Sequence, residues 1–300
     1  MGLLCLVAGV AIGCSTASAQ EAIPVSRVKT DNSLRIGLNR HMFRDLPSGM
    51  VNSLAKPFQK LLESQTSLTG EVAVCSDAQV LAQQLYDGNV EIGVFHGFEY
   101  AWLKGKYPEL EALLVAVPAQ KKLQAFLVVR KDSTVTDWPN LSGCKVALPF
   151  GTREHSRLFL DRGCRRNERV VQVPEIVAPD SVEDSLHEVV DGNVAATIVD
   201  GGGMTSFSIR FPGRFNKLKI VMQSDVFPLN VVVYRKSSLD ANTINRVRQG
   251  LTTAHTTPQG KTMMTMWKLS GFENIPANYE EQLAAIVKAY PPPPEMMPIK

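Results

Sequence analysis

Three loops hold the polar residues best suited to gripping a small molecule. His96-Gly97-Phe98-Glu99-Tyr100 follows the apolar run Ile92–Phe95, and Asp200-Gly201-Gly202-Gly203 follows Thr197–Val199. Gly151-Thr152-Arg153-Glu154-His155-Ser156 follows Val146–Leu148. In α/β sheets ligand contacts come from the carboxyl ends of strands. That position makes His96, Glu99 and Asp200 candidates, with Asn39-Arg40-His41 at the end of the run Leu34–Leu38. Arg153 can pair with an anion bidentately. Thr152, His155 and Ser156 sit where a helix should begin, and the N–H groups and dipole of a helix start favour negative charge. Glu154 would repel an anion if it faced one. Asp200 suits the amino end of a ligand, or else caps the helix after it, the three glycines permitting close backbone approach. Tyr100 either reaches the mouth of a cleft or packs on the core.

Catalysis and metal binding find little support. The histidines at 41, 96, 155, 187 and 255 form no close pair and no His-Glu helix signature. Cys75 with His96 or His155 would be a conceivable nucleophile and base, but Cys75 ends a strand without the glycines of a nucleophile elbow. Gly201-Gly202-Gly203 is not a phosphate loop, since no Lys-Ser/Thr follows. The expectation is a protein that is not an enzyme and uses no cofactor and no metal. The 300 residues are 44% hydrophobic with a net charge of +3, enough for a large core or two lobes. No basic stripe interleaved with aromatics suggests nucleic acid.

The elements that must carry these loops come from a repeat. Residues 76–95 and 180–199 each read as a helix, the turn Asp-Gly-Asn-Val, and a short apolar strand. Ala78, Leu81, Ala82 and Leu85 recur at helical spacing, as do Val182, Leu186, Val189 and Val190. Ser76 with Gln79 and Asp180 with Glu183 read as capping boxes, and Gly88 and Gly192 as left-handed stops. Two equivalent lobes follow. Phe126–Ser133 is echoed by Val231–Ser238, so these read as crossing strands with a hinge and a cleft between lobes. Lobe 1 takes 33–128 plus 230–290, and lobe 2 takes 133–226. Each is a mostly parallel sheet flanked by helices, in the α/β class. Val170–Val173 reads as a strand of lobe 2, and three helices follow the return, packing on lobe 1.

Residues 1–19 read as a signal peptide, with Ala17-Ser18-Ala19 as the cleavage site before Gln20. Lipid attachment at Cys14 is the alternative. The lead-in 20–32 and the Pro-rich tail 291–300 read as disordered. Export leaves Cys75, Cys144 and Cys164. Cys144 opens a strand and Cys164 closes the returning helix, so these two either form a disulfide or are separate thiols.

The sequence resembles the type II periplasmic binding proteins, and within them the PhnD-like phosphate/phosphite/phosphonate-binding proteins of ABC importers. The residues that carry this are Tyr86–Gly93, Gly97–Tyr100, Val128–Ser133 and Leu141–Ala147. They match the family's "G-x-x-D-I-A", "G-P-x-S-Y", "V-V-R-K-D-S" and "L-K-G-K-R-V-A-F" segments. The resemblance implies a periplasmic, monomeric solute-binding protein that closes on a small anion and delivers it to an ABC permease. It implies a ligand role for Tyr100. The family's Ser-Thr-Ser-Gly helix start is replaced here by Gly151–Ser156, which leaves other ligands open: a thiamine-precursor-like heterocycle or an organic acid, or service as a sensory partner of a membrane receptor.

Overall fold

The computed structural model describes residues 33–165 and 167–293. The segment expected to be a signal peptide, with Cys14, the lead-in and tail residues 294–300 lie outside the described residues.

The first half of the chain builds βαβ units. Strand β1 (Ser33–Asn39) is followed by helix α1 (Ser48–Thr66), β2 (Thr69–Cys75), α2 (Ala78–Tyr86), β3 (Ile92–Phe95), α3 (Gly97–Lys104) and β4 (Leu110–Pro118). The chain then forms β5 (Ala125–Arg130), β6 (Lys145–Ala147), α4 (Glu154–Cys164), β7 (Glu175–Val177), α5 (Val182–Asp191), β8 (Ala196–Asp200), α6 (Gly201–Arg210), α7 (Pro212–Phe215) and β9 (Leu218–Gln223). It ends with β10 (Asn230–Arg235), α8 (Ala241–Thr252), α9 (Pro258–Trp267), β11 (Leu269–Glu273) and α10 (Tyr279–Ala289).

The strands form two sheets, ordered β11-β4-β10-β3-β1-β2 and β7-β6-β8-β5-β9. β1 pairs in parallel with β2 and β3, and β6 with β7 and β8. The strands beside the crossings, β10 and β4 in one sheet and β5 and β9 in the other, pair antiparallel. The α/β class therefore holds, with mixed rather than mostly parallel sheets. The continuous apolar run of β4 and the short β11 lack the alternation that marks a strand in sequence.

Both repeats fold alike. Asp77 caps α2 by accepting from Val80 N at 2.8 Å, and Ser181 caps α5 by accepting from Asp184 N at 3.0 Å. Each cap lies one residue after the expected one. Ser76 instead donates its hydroxyl to Asp77 at 2.9 Å. Gly88 and Gly192 end their helices with φ of +74° and +80°, where a side chain would be strained. Leu81, Leu85, Leu186 and Val189 are buried against the sheets.

Residues 119–124 carry the chain from the first sheet to the second, and 224–229 bring it back. The two crossings meet where Phe227 N donates to Leu123 O at 2.8 Å. The strand Phe126–Arg130 is not itself the crossing: all of β5 lies in the second sheet. Val170–Val173 is not a strand; the edge strand begins at Glu175. Cys144 and Cys164 are both free. The end of α4 packs on the Trp138 indole, which lies against Gly163 and Phe159, and Cys164 turns into that core while Cys144 Sγ meets Asn140 O at 3.7 Å.

The start of α3 is pressed against the return crossing. A Cβ on Gly97 would lie 2.5 Å from the carbonyl oxygens of both Pro228 and Leu229, and backbone cannot retreat as a flexible side chain can. Gly97→Ala should destabilise the protein by about 1–3 kcal/mol, read as a lower urea midpoint. An unchanged midpoint would mean the contact is looser than it looks.

Candidate ligand-binding site

The first sheet's share of the site is organised by one buried carboxylate. Glu99 is 2% exposed and occupies the first turn of α3, where the helix dipole favours an anion. Asn39 Nδ2 donates to its Oε2 at 2.6 Å, His96 Nδ1 lies 2.8 Å from the same oxygen, and His41 Nδ1 lies 3.1 Å from Oε1. Burial alone would raise the Glu99 pKa, but the charges and hydrogen bonds of His96 and His41 outweigh it and hold the group at about 2. An ionised carboxylate only accepts, so both imidazoles must present Nδ1–H to it. The hydrogen bond to Glu99 raises the His41 pKa against the opposing effect of burial.

The second sheet contributes the start of α4. Its N-cap residue, Arg153, makes no side-chain cap, so the first N–H groups of the helix are not spoken for by a capping side chain. His155, 3% exposed, lies against Phe227 of the crossing with ring centroids 5.5 Å apart. Its Nε2 is buried without a hydrogen-bond partner. Burial, then the Arg153 charge, holds this imidazole well below its usual pKa; His96 is near enough to push the same way, and Asp200 opposes. Arg153 Nε is 3.7 Å from Asp200 Oδ2, while Asp200 Oδ1 accepts from Gly203 N at 2.8 Å. Asp200 therefore does cap the helix that follows. Thr152 donates its hydroxyl to Pro149 O, and Ser156 is buried with its N–H on Arg153 O at 3.0 Å. His96, His155, Arg153, Asp200 and the Glu99 cluster thus converge between the sheets.

Polar contacts join the two sides. Arg44 pairs with Glu154 through Nε at 2.5 Å and Nη2 at 3.0 Å. Asp45 accepts from Gly151 N at 2.7 Å and from Arg157 Nη2. Glu154, expected to repel a ligand, is engaged by Arg44 instead. Nothing local in the sequence marks Arg44, Asp45 or Arg157, because their partners lie 106 to 112 positions away.

Tyr100 does not reach the cleft. It is 1% exposed, and its hydroxyl donates to Leu110 O at 3.0 Å inside the core of the first sheet. One step from Glu99 along a helix is a turn of about 100°, which carries the next side chain to another face. Cys75 is buried, and desolvation first, with Asp77 adding, pushes its thiol up to about 11; a protonated thiol is no nucleophile. Among the described residues, no group of three or more His, Cys, Asp or Glu side chains could hold a metal ion, and no helix is long and apolar enough to cross a membrane.

Two lobes hinged by paired crossings, with a polar floor where strands end and helices begin, define a class of periplasmic binding proteins. Residues 45–279 match the family described as ABC transporter, phosphonate, periplasmic substrate-binding protein, and the chain belongs to that family. Its members bind a small-molecule ligand and work with an ABC transporter permease. No curated protein matches the sequence. The binding protein component of an ABC phosphonate transporter from Pseudomonas aeruginosa is 16% identical, with a TM-score of 0.56 over 85% of this chain and 86% of that one. A Xanthomonas citri protein bound to ATP is 16% identical, with a TM-score of 0.60 over 87% and 100%. PhnD1 from Prochlorococcus marinus in complex with methylphosphonate is 11% identical, with a TM-score of 0.58 over 86% and 98%. At these identities the likeness to the solved structures is one of fold.

The Glu99 cluster dictates a pH dependence. Glu99 falls to about 2 in the folded chain, against about 4.3 unfolded. Its contribution is present above the unfolded value and is lost as pH falls from there towards 2. His41 is raised, so its contribution is full below about 6.5 and is lost as pH rises through the folded value. Denaturation midpoints should be highest between these limits, and Glu99→Gln should flatten both limbs. Limbs that persist unchanged in the variant would assign them to other groups.

Proposed function

We propose that this protein captures a small phosphoryl anion, of the phosphonate, phosphite or phosphate class, between its two sheets and delivers it to an ABC permease. The observation that carries this reading is the meeting of an uncapped α4 start with Arg153, His96 and the unpartnered Nε2 of His155. A helix start adds about 0.3–1 kcal/mol for an anion, up to about 2 when partly buried. Each charge-assisted hydrogen bond adds about 1.5–3 kcal/mol. Several contacts together are needed to exceed the costs of ordering and closure. The methylphosphonate of the Prochlorococcus protein and the ATP of the Xanthomonas protein share phosphoryl oxygens, the group this site is equipped to hold. Binding without turnover accords with a protonated Cys75. Secretion with Gln20 as the first mature residue, rather than anchoring at Cys14, and a monomeric state complete the reading.

Calorimetry on the purified protein tests it, with phosphate, phosphite, methylphosphonate, aminoethylphosphonate and ATP set against sulfate, carboxylates and thiamine derivatives. A phosphoryl compound should bind, and Arg153→Ala should weaken it by about tenfold or more. Binding confined to carboxylates or thiamine derivatives would overturn the ligand class, and unchanged affinity in Arg153→Ala would remove that residue from the site.

A further inference from the structure

His155 enters the site with a hydrogen-bonding need unmet. It is the second residue of α4 and is buried, and its Nε2 has no partner among the described residues. Aromatic rings hold it in place. It lies against Phe227, which Phe98 also meets edge-on with centroids 5.8 Å apart. His96 in turn stacks on Phe98 at 5.4 Å. The charged and titratable groups that act on His155 are Arg153 from its own helix start, Asp200 from the end of β8 and His96 from the residue after β3. Its neighbour Glu154 is engaged by Arg44.

Those surroundings decide which proton the ring carries. Burial, then the Arg153 charge, keeps it neutral, and a neutral imidazole has one N–H and one lone pair. The outgoing crossing offers it the backbone carbonyl of Gln124, which can only accept. Nε2 is without a partner, so the N–H turned to that carbonyl is on Nδ1 and Nε2 holds the lone pair. The floor is therefore not uniformly donating. Arg153 and the first N–H groups of α4 donate to a ligand, whereas Nε2 of His155 accepts from one. A tetrahedral oxyanion with no proton sets lone pair against lone pair there, and low local dielectric makes such an unpaired contact costly. An anion that keeps one hydroxyl turns the same contact into a hydrogen bond.

We propose that the bound phosphoryl anion keeps one P–OH and donates it as a hydrogen bond to Nε2 of His155, so that the cleft takes protonated phosphoryl anions and refuses tetrahedral oxyanions without a proton. This rests on the phosphoryl reading of the site. Methylphosphonate, inorganic phosphate and sulfate, titrated calorimetrically into the full chain over a range of pH, separate the two claims. Methylphosphonate loses its last P–OH at its second dissociation, phosphate still has one as the dianion, and sulfate has none. Above that dissociation methylphosphonate affinity should fall about tenfold per pH unit, the linkage of one proton. Phosphate should fall much less. Any loss of charge at His41 or His96 affects both ligands, so the difference between them belongs to the P–OH. Sulfate should bind about a hundredfold or more weaker than methylphosphonate at its best pH, as a site built to accept a hydroxyl rejects an analogue lacking it. His155→Gln offers an amide N–H as well as an acceptor, so it should narrow the sulfate gap and flatten the methylphosphonate profile to that of phosphate. Equal pH profiles for methylphosphonate and phosphate in the wild-type chain overturn the inference and leave the phosphoryl reading standing. Sulfate binding as tight as methylphosphonate also overturns it, as does a His155→Gln variant that binds methylphosphonate and keeps both wild-type preferences. Failure of both phosphorus ligands to bind at any pH sinks the phosphoryl reading, and this inference with it.

Discussion

A carboxylate cannot stay ionised out of water unless donors replace the water it loses. Glu99 is buried and ionised, and the arrangement that allows it fixes much of the site. Asn39 comes from the end of β1, His41 from the turn after it, and His96 from the end of β3. One side chain therefore ties three segments to the start of α3. It also settles that each imidazole turns a protonated Nδ1 towards the carboxylate. The turn that carries His41 continues directly into Arg44 and Asp45, which reach the other sheet. The position of the cross-cleft contacts is thus inherited from the Glu99 cluster.

Those contacts differ in kind from the cluster. Arg44 keeps 45% of its side chain exposed, and exposed ion pairs contribute about 0–1 kcal/mol each. Such pairs set the register in which the lobes meet without holding them shut. The crossings at Leu123 and Phe227 are buried and backbone-paired, so they are the firmer of the two links between the sheets. A binding protein needs both properties. Its closed form must be reachable, yet shallow enough for a ligand's differential affinity to decide the population.

Much of this was legible in the sequence where the physics is local. The two repeats could be read because helical spacing, a capping residue and a left-handed glycine lie within twenty positions of one another. The echo between Phe126–Ser133 and Val231–Ser238 was also real, though its meaning differed. β5 pairs antiparallel with β8 as β10 does with β3, so after each crossing the chain adds an antiparallel strand to the sheet it enters. The candidates Asn39, His96, Glu99, Arg153, His155 and Asp200 lie near one another between the sheets because chain direction places them where strands end and helices begin. Tyr100 could not be assigned, since a single helical step separates cleft from core. Arg44, Asp45 and Arg157 were invisible because their roles exist only once two distant segments meet.

The charges at the floor also bear on which anions this cleft can prefer. Arg44 is matched by Glu154, Arg157 by Asp45, and His41 by Glu99. Arg153 is matched most loosely, at 3.7 Å, by an Asp200 already engaged in capping α6. In the proposed site an incoming anion therefore meets one loosely matched cation, with the α4 amides behind it. It also has a neighbouring carboxylate that must be tolerated. A ligand that offers several oxygens to one guanidinium and the helix start satisfies both conditions, since its oxygens can occupy the α4 side while Asp200 stays turned towards its own helix. A tetrahedral phosphoryl group does this better than a planar carboxylate, whose two oxygens would be spent on Arg153 alone. In the proposed site, the arrangement that tolerates Asp200 suits a phosphoryl group better than a carboxylate at the charged end of the ligand.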